Sequence, residues 1–296
     1  MRIAVTGKQG QVVTALIERS WQADVEIVAV GRPELDLADT ASIRKTLSAI
    51  KPDAIVSAAA YTAVDKAESE EAAAFAINAE GPAAIAEVAE ELGIPVVHLS
   101  TDYVFPGDKQ GVYVETDATG PVSVYGRSKL AGEKAIAAAT ANHVILRTAW
   151  VYSPYGANFV RTMLRLAETR DSLNVVADQR GTPTSALDIA DAVIAIAKRL
   201  ASDPDETLRG VFHLTGSGEA TWADFAEAIF AGLKQKTGKT VTVGRITTAD
   251  YPTPAKRPAN SLLSNDKLKQ AYGIVLPDWR SSTNIVLDRL LARTGS

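Results

Sequence analysis

The segment RIAVTGKQGQV, residues 2–12, begins as a short apolar strand that stops at Gly7, and Gly10 then opens a helix-patterned run that continues to Trp21. Gly7 allows a tight turn, and Gly10 lets the backbone approach a pyrophosphate, which would lie against the positive end of the helix. A strand, a glycine turn and a helix form the first unit of a dinucleotide-binding α/β fold. The spacing is Gly-x-x-Gly, with Val13 where a third glycine is expected, so a plain strand-to-helix turn remains the alternative.

The rest of the first half repeats this alternation of strand and helix. Further strands are predicted at residues 25–30, 54–59, 95–99 and 143–150, and helices at 41–50, at 67–93 with a break near Gly81 and Pro82, and at 125–139. Five alternations in 150 residues predict an α/β fold with a doubly wound, Rossmann-like parallel sheet.

The second half is less regular. Helices are predicted at 158–169, 187–200 and 221–236, and strands at 173–176 and 211–215. Thr221 and Asp224 approach a capping box, while Trp222, Phe225 and Phe230 are expected to fill the core. We therefore predict an NAD(P)-binding domain formed by residues 1–151 and 187–216, and a smaller carboxyl-terminal substrate lobe formed by 152–186 and 217–296.

The composition is that of a soluble globular enzyme, with 46% hydrophobic and 22% charged residues in a chain of 296. A net charge of -4 gives no footprint for nucleic acid or an anionic membrane, and the absence of cysteine excludes disulfides and thiolate metal sites. His98, His143 and His213 lie far apart in apolar runs, so we predict core histidines and no metal site. The chain starts directly with a strand and has no long apolar stretch, which favours a cytoplasmic protein without a membrane partner.

A Tyr-x-x-x-Lys pattern at Tyr125 and Lys129 supplies the candidate chemistry. Residues four apart on a helix share a face, and an ammonium group beside a phenol favours the phenolate, which would lower the tyrosine pKa toward working pH. Thr101 follows the apolar run 95–99, at the end of a strand where open α/β sheets place their ligands, and offers a hydroxyl for a substrate carbonyl. The pattern alone is common by chance, so the prediction depends on the features around it.

Three other segments suggest ligand contacts. Arg32 follows the second strand, where an arginine suits a 2′-phosphate, so we predict NADPH, with NADH as the alternative because Glu34 and Asp36 are close. Small residues ending at Ala60 let a ligand lie close to the backbone. Lys256 and Arg257 stand in a proline-punctuated loop that could hold a diphosphate.

Several motifs, in this order along the chain, resemble the extended short-chain dehydrogenase/reductase superfamily and, within it, the dTDP-4-dehydrorhamnose reductase family. They are GKQGQV (7–12), AAAYTAVDKAE (58–68), STDYVFPG (100–107), YGRSKLAGE (125–133), RTAWVYS (147–153), GTPTSALDIA (181–190) and KRPANSLLSNDKL (256–268). The resemblance implies hydride transfer from NAD(P)H to the C4 ketone of dTDP-4-dehydro-L-rhamnose.

The resemblance also assigns residues to roles. It implies that Thr101, Tyr125 and Lys129 are catalytic and that Asp102 and Trp150 contact substrate together with Thr101 and Tyr125. It also implies cofactor contacts at Gly10, Gln11, Val12, Asp36, Leu37, Ala60, Tyr61 and Thr62. The predicted cofactor site consists of these residues together with Gly7, Arg32, Tyr125 and Lys129.

The sequence leaves alternatives open. Dehydratases that resemble this family carry an Asp-Glu pair at this position, but here Asp102 is followed by Tyr103. Simple reduction therefore fits this chain better than the reaction of the dehydratases. A reductase or epimerase of another nucleotide-4-ketosugar remains an alternative, as does the NADP-binding regulatory β subunit of methionine adenosyltransferase, which is similar in sequence. Some family members use an acid in the first helix for a magnesium-linked dimer, but residues 13–15 contain none, so no visible site supports magnesium, and the oligomeric state stays open.

Overall fold

The computed structural model describes residues 1–292, whose strands and helices follow the predicted order closely. In chain order the strands are β1 (Arg2–Thr6), β2 (Glu26–Val30), β3 (Ala54–Ser57), β4 (Val96–Thr101), β5 (His143–Thr148), β6 (Val151–Tyr152), β7 (Ser172–Val176), β8 (Arg180–Gly181), β9 (Thr184–Ser185), β10 (Gly210–His213), β11 (Ala220–Thr221) and β12 (Thr242–Ile246). The α-helices are α1 (Gln11–Ala23), α2 (Thr40–Ile50), α3 (Val64–Ala67), α4 (Glu71–Phe75), α5 (Gly81–Leu92), α6 (Val124–Ala139), α7 (Phe159–Ala167), α8 (Ala186–Ser202), α9 (Trp222–Thr237), α10 (Asp266–Tyr272) and α11 (Trp279–Leu291). A π-helical turn (Ala76–Glu80) joins α4 to α5, and 3-10 turns occupy Asp102–Val104, Glu206–Leu208 and Thr248–Asp250.

Six strands form one sheet in the order β10-β5-β4-β3-β1-β2, and every neighbouring pair in it is parallel. Alternate side chains of β1 face opposite sides: Ile3 and Val5 belong to a core shared with α1 and α8, and Ala4 belongs to a second core shared with α2 and α5. Both faces of the sheet are therefore covered by helices, as buried parallel strands require. The predicted doubly wound α/β fold is confirmed.

Shorter strands pair beyond this sheet. β7 pairs with β12 in parallel, β6 with β9 in parallel, and β8 with β11 in antiparallel order. Within residues 1–292, no helix combines the length and the hydropathy that crossing a bilayer would demand.

The predicted break near Gly81 takes a specific form. Residues 71–92 continue as a helix through α4, the π-helical turn and α5, with Pro82 in the first turn of α5. Proline has no N–H to bond the carbonyl four residues earlier, which here belongs to Asn78. A π-helical turn widens the helix at such a point and is often found at functional sites.

Four predicted strands end two residues from the position expected: β3, β4, β5, which ends at Thr148, and β10, which ends at His213. β3 ends at Ser57 rather than at residue 59, because the Thr6 hydroxyl accepts the N–H groups of Ala58 and Ala59 and diverts the chain. β4 continues to Thr101, which pairs with Thr148 of β5. Thr101 therefore stands at the carboxyl edge of the sheet.

Candidate active site

The turn between β1 and α1 is shaped for close approach to the backbone. Gly7 has φ +103°, and a β-carbon there would lie 3.2 Å from Val13 Cγ2. Gly10 is the N-cap of α1, no side chain caps this helix, and its first turn carries no acid. The first amide groups are thus available to an anion, and the macrodipole favours one. This turn fits the pyrophosphate of a dinucleotide.

The residues expected around the rest of a dinucleotide lie beside this turn. The Arg32 side chain is exposed and takes part in no ion pair within residues 1–292, whereas the nearby Glu34 is paired with Lys8. The Asp36 carboxylate accepts the Ala38 N–H at 3.0 Å and so closes a local turn. Leu37 lies on the adjoining loop, where its carbonyl oxygen would be 2.7 Å from a β-carbon at Gly81.

Other predicted cofactor contacts have structural partners. The Gln11 side-chain oxygen accepts from Ser153 Oγ at 2.8 Å, and Val12 packs against the larger core. Ala60 is half-buried and Thr62 is exposed.

Asn78 holds the segment that follows β3. Its side-chain oxygen accepts the Tyr61 N–H at 2.8 Å, and its amide donates to the Tyr61 carbonyl and to Ser128 Oγ, each at 3.0 Å. An asparagine just before a break in a helix commonly caps the helix or bonds the local backbone. Instead Asn78 is buried, and its bonds reach 17 and 50 residues along the chain, so no local pattern could indicate them.

Helix α6 brings Tyr125 against the turn that follows Thr101. Ser123 caps the helix by accepting the Gly126 N–H at 3.2 Å. A β-carbon at Gly126 would lie 2.3 Å from the Tyr103 carbonyl oxygen, so glycine is needed for this contact. The rings of Tyr103 and Tyr125 meet edge to face, with centroids 5.5 Å apart.

Lys129 lies one turn after Tyr125 and is buried. Its ammonium donates to the Leu99 carbonyl at 2.7 Å and lies 3.1 Å from His98 Nε2. Burial lowers the pKa of Lys129 to about 8, against the opposing influence of Glu133.

The expected lowering of the Tyr125 pKa by Lys129 is not what the structure shows. Burial raises the pKa of Tyr125 above its ordinary value, and the Thr101 side chain provides the opposing, lowering influence. The reason is geometric, since the Lys129 ammonium bonds toward β4 instead. The phenol therefore holds its proton firmly.

Asp102 is a buried carboxyl group next to Thr101. Its oxygens accept the Thr101 hydroxyl at 2.9 Å and the Ser261 hydroxyl at 2.5 Å. Burial raises the pKa of Asp102 to about 6 in spite of these bonds.

A cavity of about 910 Å³ lies next to Asp102, since Tyr103, which follows Asp102, and Ser261, which bonds it, both line the cavity. Trp150, with φ +50°, stacks on Trp222 with ring centroids 3.7 Å apart, and both line it. A β-carbon at Gly181 would lie 2.5 Å from the Trp150 ring. The other lining residues include Asp65, Tyr103, Phe159, Met163, Leu166, Asn174, Val175, Gln179, Tyr251, Arg257 and Ser261.

The two cations predicted for this region are placed differently. Arg257 lines the cavity, donates to Asp65 Oδ2 at 2.6 Å and lies 3.3 Å from the Tyr103 hydroxyl. Lys256 is exposed and does not line the cavity. The structure thus brings Arg257 to the site but leaves Lys256 outside it.

Sequence analysis missed several side chains that face the cavity. Trp222 was expected in the core, where Phe225 and Phe230 lie, but it is only half-buried, because its ring stacks on Trp150 and lines the cavity. Tyr103 and Ser261 were not singled out, although both stand in motifs that the sequence analysis quoted. Asp65 was not singled out either, because its partner Arg257 is 192 residues away.

The whole chain matches known proteins. Residues 1–292 match the family model described as the RmlD substrate binding domain. A dTDP-4-dehydrorhamnose reductase of Sinorhizobium fredii is 57% identical over 291 residues, which cover 98% of each chain. The crystal structure of such a reductase from Clostridium acetobutylicum has a TM-score of 0.91 and 38% identity, covering 98% of this chain and 99% of that one. The Bacillus anthracis reductase, solved in complex with NADP, has a TM-score of 0.89 and 32% identity, covering 96% and 98%. The resemblance inferred from the motifs is confirmed, and the chain belongs to the RmlD substrate binding domain family, alongside the dTDP-4-dehydrorhamnose reductases.

Proposed function

We propose that the protein reduces the C4 ketone of dTDP-4-dehydro-L-rhamnose to give dTDP-L-rhamnose, with NADPH as the hydride donor. The observation that carries the proposal is that Thr101 ends β4, Tyr125 lies against the turn that follows it, and Lys129 bonds the Leu99 carbonyl of the same strand. The neighbouring Tyr103 and Ser261 line a large cavity. The names of relatives up to 57% identical over almost the whole chain support it.

The proposal divides the chain as the sequence suggests. Residues 1–151 and 187–216 would bind the cofactor, and residues 152–186 and 217–296, the last four of which lie outside the described residues, would form the substrate lobe. The cavity supports this division, because Asp65 and Tyr103 line it from the first part and Phe159 and Trp222 from the second.

The cofactor would lie with its pyrophosphate on the turn from Gly7 to Gly10, extended by Gln11 and Val12. Asp36, Leu37, Ala60, Tyr61 and Thr62 are the further proposed contacts, and Lys129 would bond the ribose. Arg32 supports NADPH over NADH, since its guanidinium is exposed and unpaired within residues 1–292 and matches a 2′-phosphate. When bound, the nicotinamide supplies the hydride.

Side chains of the protein would bind and protonate the ketone oxygen. Hydride arrival at C4 places negative charge on that oxygen, and the Tyr125 hydroxyl is the donor that stabilises it. Because its pKa is raised, Tyr125 stays protonated until that charge develops, and it then delivers the proton. Thr101 is the second hydroxyl at this point; it donates to Asp102 in this structure, so it has to turn its proton from that carboxyl group to bond the ketone oxygen.

The substrate would extend from this point into the cavity. Trp150 and Asp102 are proposed to contact the sugar. Arg257 is proposed to contact the diphosphate, whereas Lys256, which is exposed outside the cavity, is not among the proposed contacts.

The test is turnover of dTDP-4-dehydro-L-rhamnose, followed by the absorbance of the reduced nicotinamide. We expect Tyr125→Phe to lower kcat by about 10² to 10⁴ while the Kd for NADPH is retained, because only the proton donor is lost. Tyr272→Phe is the matched control, since its hydroxyl donates to the Leu208 carbonyl outside the cavity.

A panel of other nucleotide-4-ketosugars in the same assay addresses the alternative substrates. Retained turnover in Tyr125→Phe would remove Tyr125 from its role. No turnover with any ketosugar, together with a stoichiometric methionine adenosyltransferase partner in a pull-down, would contradict the enzymatic proposal in favour of the regulatory subunit.

A further inference from the structure

Behind Lys129 lies a buried pair of polar side chains that the proposed reaction does not use. Ser57 of β3 and His98 of β4 are direct neighbours in the sheet register and are 1% and 0% exposed. His98 Nδ1 lies 3.0 Å from Ser57 Oγ, and His98 Nε2 lies 3.1 Å from Lys129 Nζ. The three side chains thus form one hydrogen-bonded row from β3 through β4 to α6.

The direction of these bonds depends on the charge of Lys129. A charged ammonium only donates, so His98 Nε2 must accept, and the single ring proton then sits on Nδ1 and is donated to Ser57 Oγ. A neutral amine has a lone pair, so His98 can donate from Nε2, and Nδ1 can then accept the Ser57 hydroxyl proton. Every buried atom of the row is paired in both arrangements.

We propose that His98 is a positioning residue that exchanges tautomers with the protonation of Lys129, so that the buried lysine nitrogen keeps its bond to the ring in both its charged and its neutral form. In this exchange Lys129 releases one proton to solvent, and the ring keeps its own single proton but carries it on Nε2 instead of Nδ1. The importance of this device for turnover rests on the proposed function.

The electrostatic surroundings are consistent with such a device. Burial and the adjacent Lys129 lower the pKa of His98 well below its ordinary value, so the ring stays neutral while Lys129 titrates at a pKa of about 8. The other charged or titratable groups near Lys129 are Tyr125 and Glu133 on its own helix, and Glu133 is held by Arg147 of β5 at 2.7 Å. A buried donor or acceptor without a partner destabilises the folded protein, so the lysine nitrogen needs a partner that can reverse its bond.

Nitrogen NMR of histidine-labelled protein tests the exchange directly, because the chain has only three histidines and His98→Gln identifies the signal. We expect the Nδ1–H tautomer at low pH and the Nε2–H tautomer at high pH, with a midpoint near the Lys129 pKa of about 8. Lys129→Met should abolish that midpoint. A single tautomer throughout, a doubly protonated ring near neutral pH, or an unchanged midpoint in Lys129→Met would overturn the proposal.

Kinetics test the consequence for the reaction. In His98→Leu the ammonium loses an acceptor, so its charged form is disfavoured, and the basic limb of the kcat profile should move down by about one pH unit, a loss of kcat of about fivefold at about pH 8 that approaches tenfold at higher pH. His98→Gln should restore the limb, because its amide oxygen can accept from Lys129, whereas a purely structural role would give no such rescue.

These outcomes separate the two proposals. An inactive wild-type enzyme contradicts the proposed function but leaves the tautomer test standing. An active wild type whose kcat profile is unchanged in His98→Leu contradicts the role of His98. If His98→Leu does not fold, the NMR comparison of wild type with Lys129→Met still decides.

Discussion

Asp102 is a single carboxyl group whose burial makes stability depend on pH. Its pKa in the folded protein, about 6, lies above the ordinary value near 4, so the folded state holds this proton more tightly than the unfolded state. The contribution of Asp102 to the free energy of unfolding is therefore highest below about pH 4 and falls as the pH rises toward about 6. A shift of two units corresponds to about 3 kcal/mol.

We predict that Asp102→Asn removes most of this dependence of the free energy of unfolding on pH, because the amide cannot ionise and can still bond Thr101 and Ser261. Urea unfolding of wild type and variant at about pH 4 and about pH 7 measures it. Asp108→Asn, at an exposed aspartate, should leave the slope as in wild type. The same pH dependence in wild type and Asp102→Asn would show that this carboxyl group does not titrate as described.

Whether the role of a residue could be predicted from sequence depends on how far along the chain its partners lie. Thr101, Tyr125 and Lys129 could be named from sequence because a strand end and a helix repeat are local patterns. The partners of Lys129 could not, since His98 and Leu99 are brought to it only when α6 packs on β4. For the same reason the predicted direction of the Tyr125 pKa shift was wrong.

Helix α6 depends on a glycine at its contact with the π-helical turn. A β-carbon at Gly132 would lie 2.1 Å from the backbone oxygen of Asn78, which cannot move without disturbing the segment that Asn78 holds. In α9, a β-carbon at Gly232 would lie 2.5 Å from Leu287 Cδ1, the end of a flexible side chain. Both helices would gain up to about 1 kcal/mol of helix propensity from alanine.

We predict that Gly132→Ala destabilises the protein by about 1 to 3 kcal/mol, because overpacking against backbone outweighs the gain in propensity. Gly232→Ala is the matched control and should change the free energy of unfolding by less than about 1 kcal/mol, because Leu287 can rotate. Denaturant unfolding of both variants measures the difference. Equal effects of the two substitutions would mean that the π-helical turn yields to α6.

Elements with local signals were predicted well. The helix start at Thr221 and Asp224 is a complete capping box, with the Asp224 N–H donating to Thr221 Oγ1 at 3.1 Å. The parallel pairing of β7 with β12 joins residues about 70 positions apart, and β12 was not predicted. Helices α10 and α11 were also missed, because no helix or strand was predicted after the loop that carries Lys256 and Arg257.

The parallel, doubly wound sheet of the whole molecule could be predicted because strand and helix alternate regularly and parallel neighbours need a helix between them, whereas the order of its strands was not predicted. The shape of the cavity could not, since the segments that line it start from positions as distant as Asp65 and Ser261. Their meeting depends on long-range bonds, among them that of Ser261 with Asp102 and that of Arg257 with Asp65. The composition of such a site is visible only in the folded chain.

The loop that carries Lys256 and Arg257 packs against Asp65 in the first half of the chain, and the role of each cation can be tested. The two residues carry the same charge but differ in position. Arg257 lines the cavity and is paired with Asp65, whereas its neighbour Lys256 is exposed outside the cavity. We predict that Arg257→Gln raises KM for the nucleotide sugar by about 10- to 100-fold, the loss expected for hydrogen bonds to a charged group, with the Kd for NADPH unchanged. Lys256→Gln, which removes the same charge one residue away, should change KM by less than about threefold. Steady-state kinetics with saturating NADPH give both values, and similar losses in the two variants would mean that the nucleotide sugar is attracted by the net charge of the loop rather than bound by the Arg257 guanidinium.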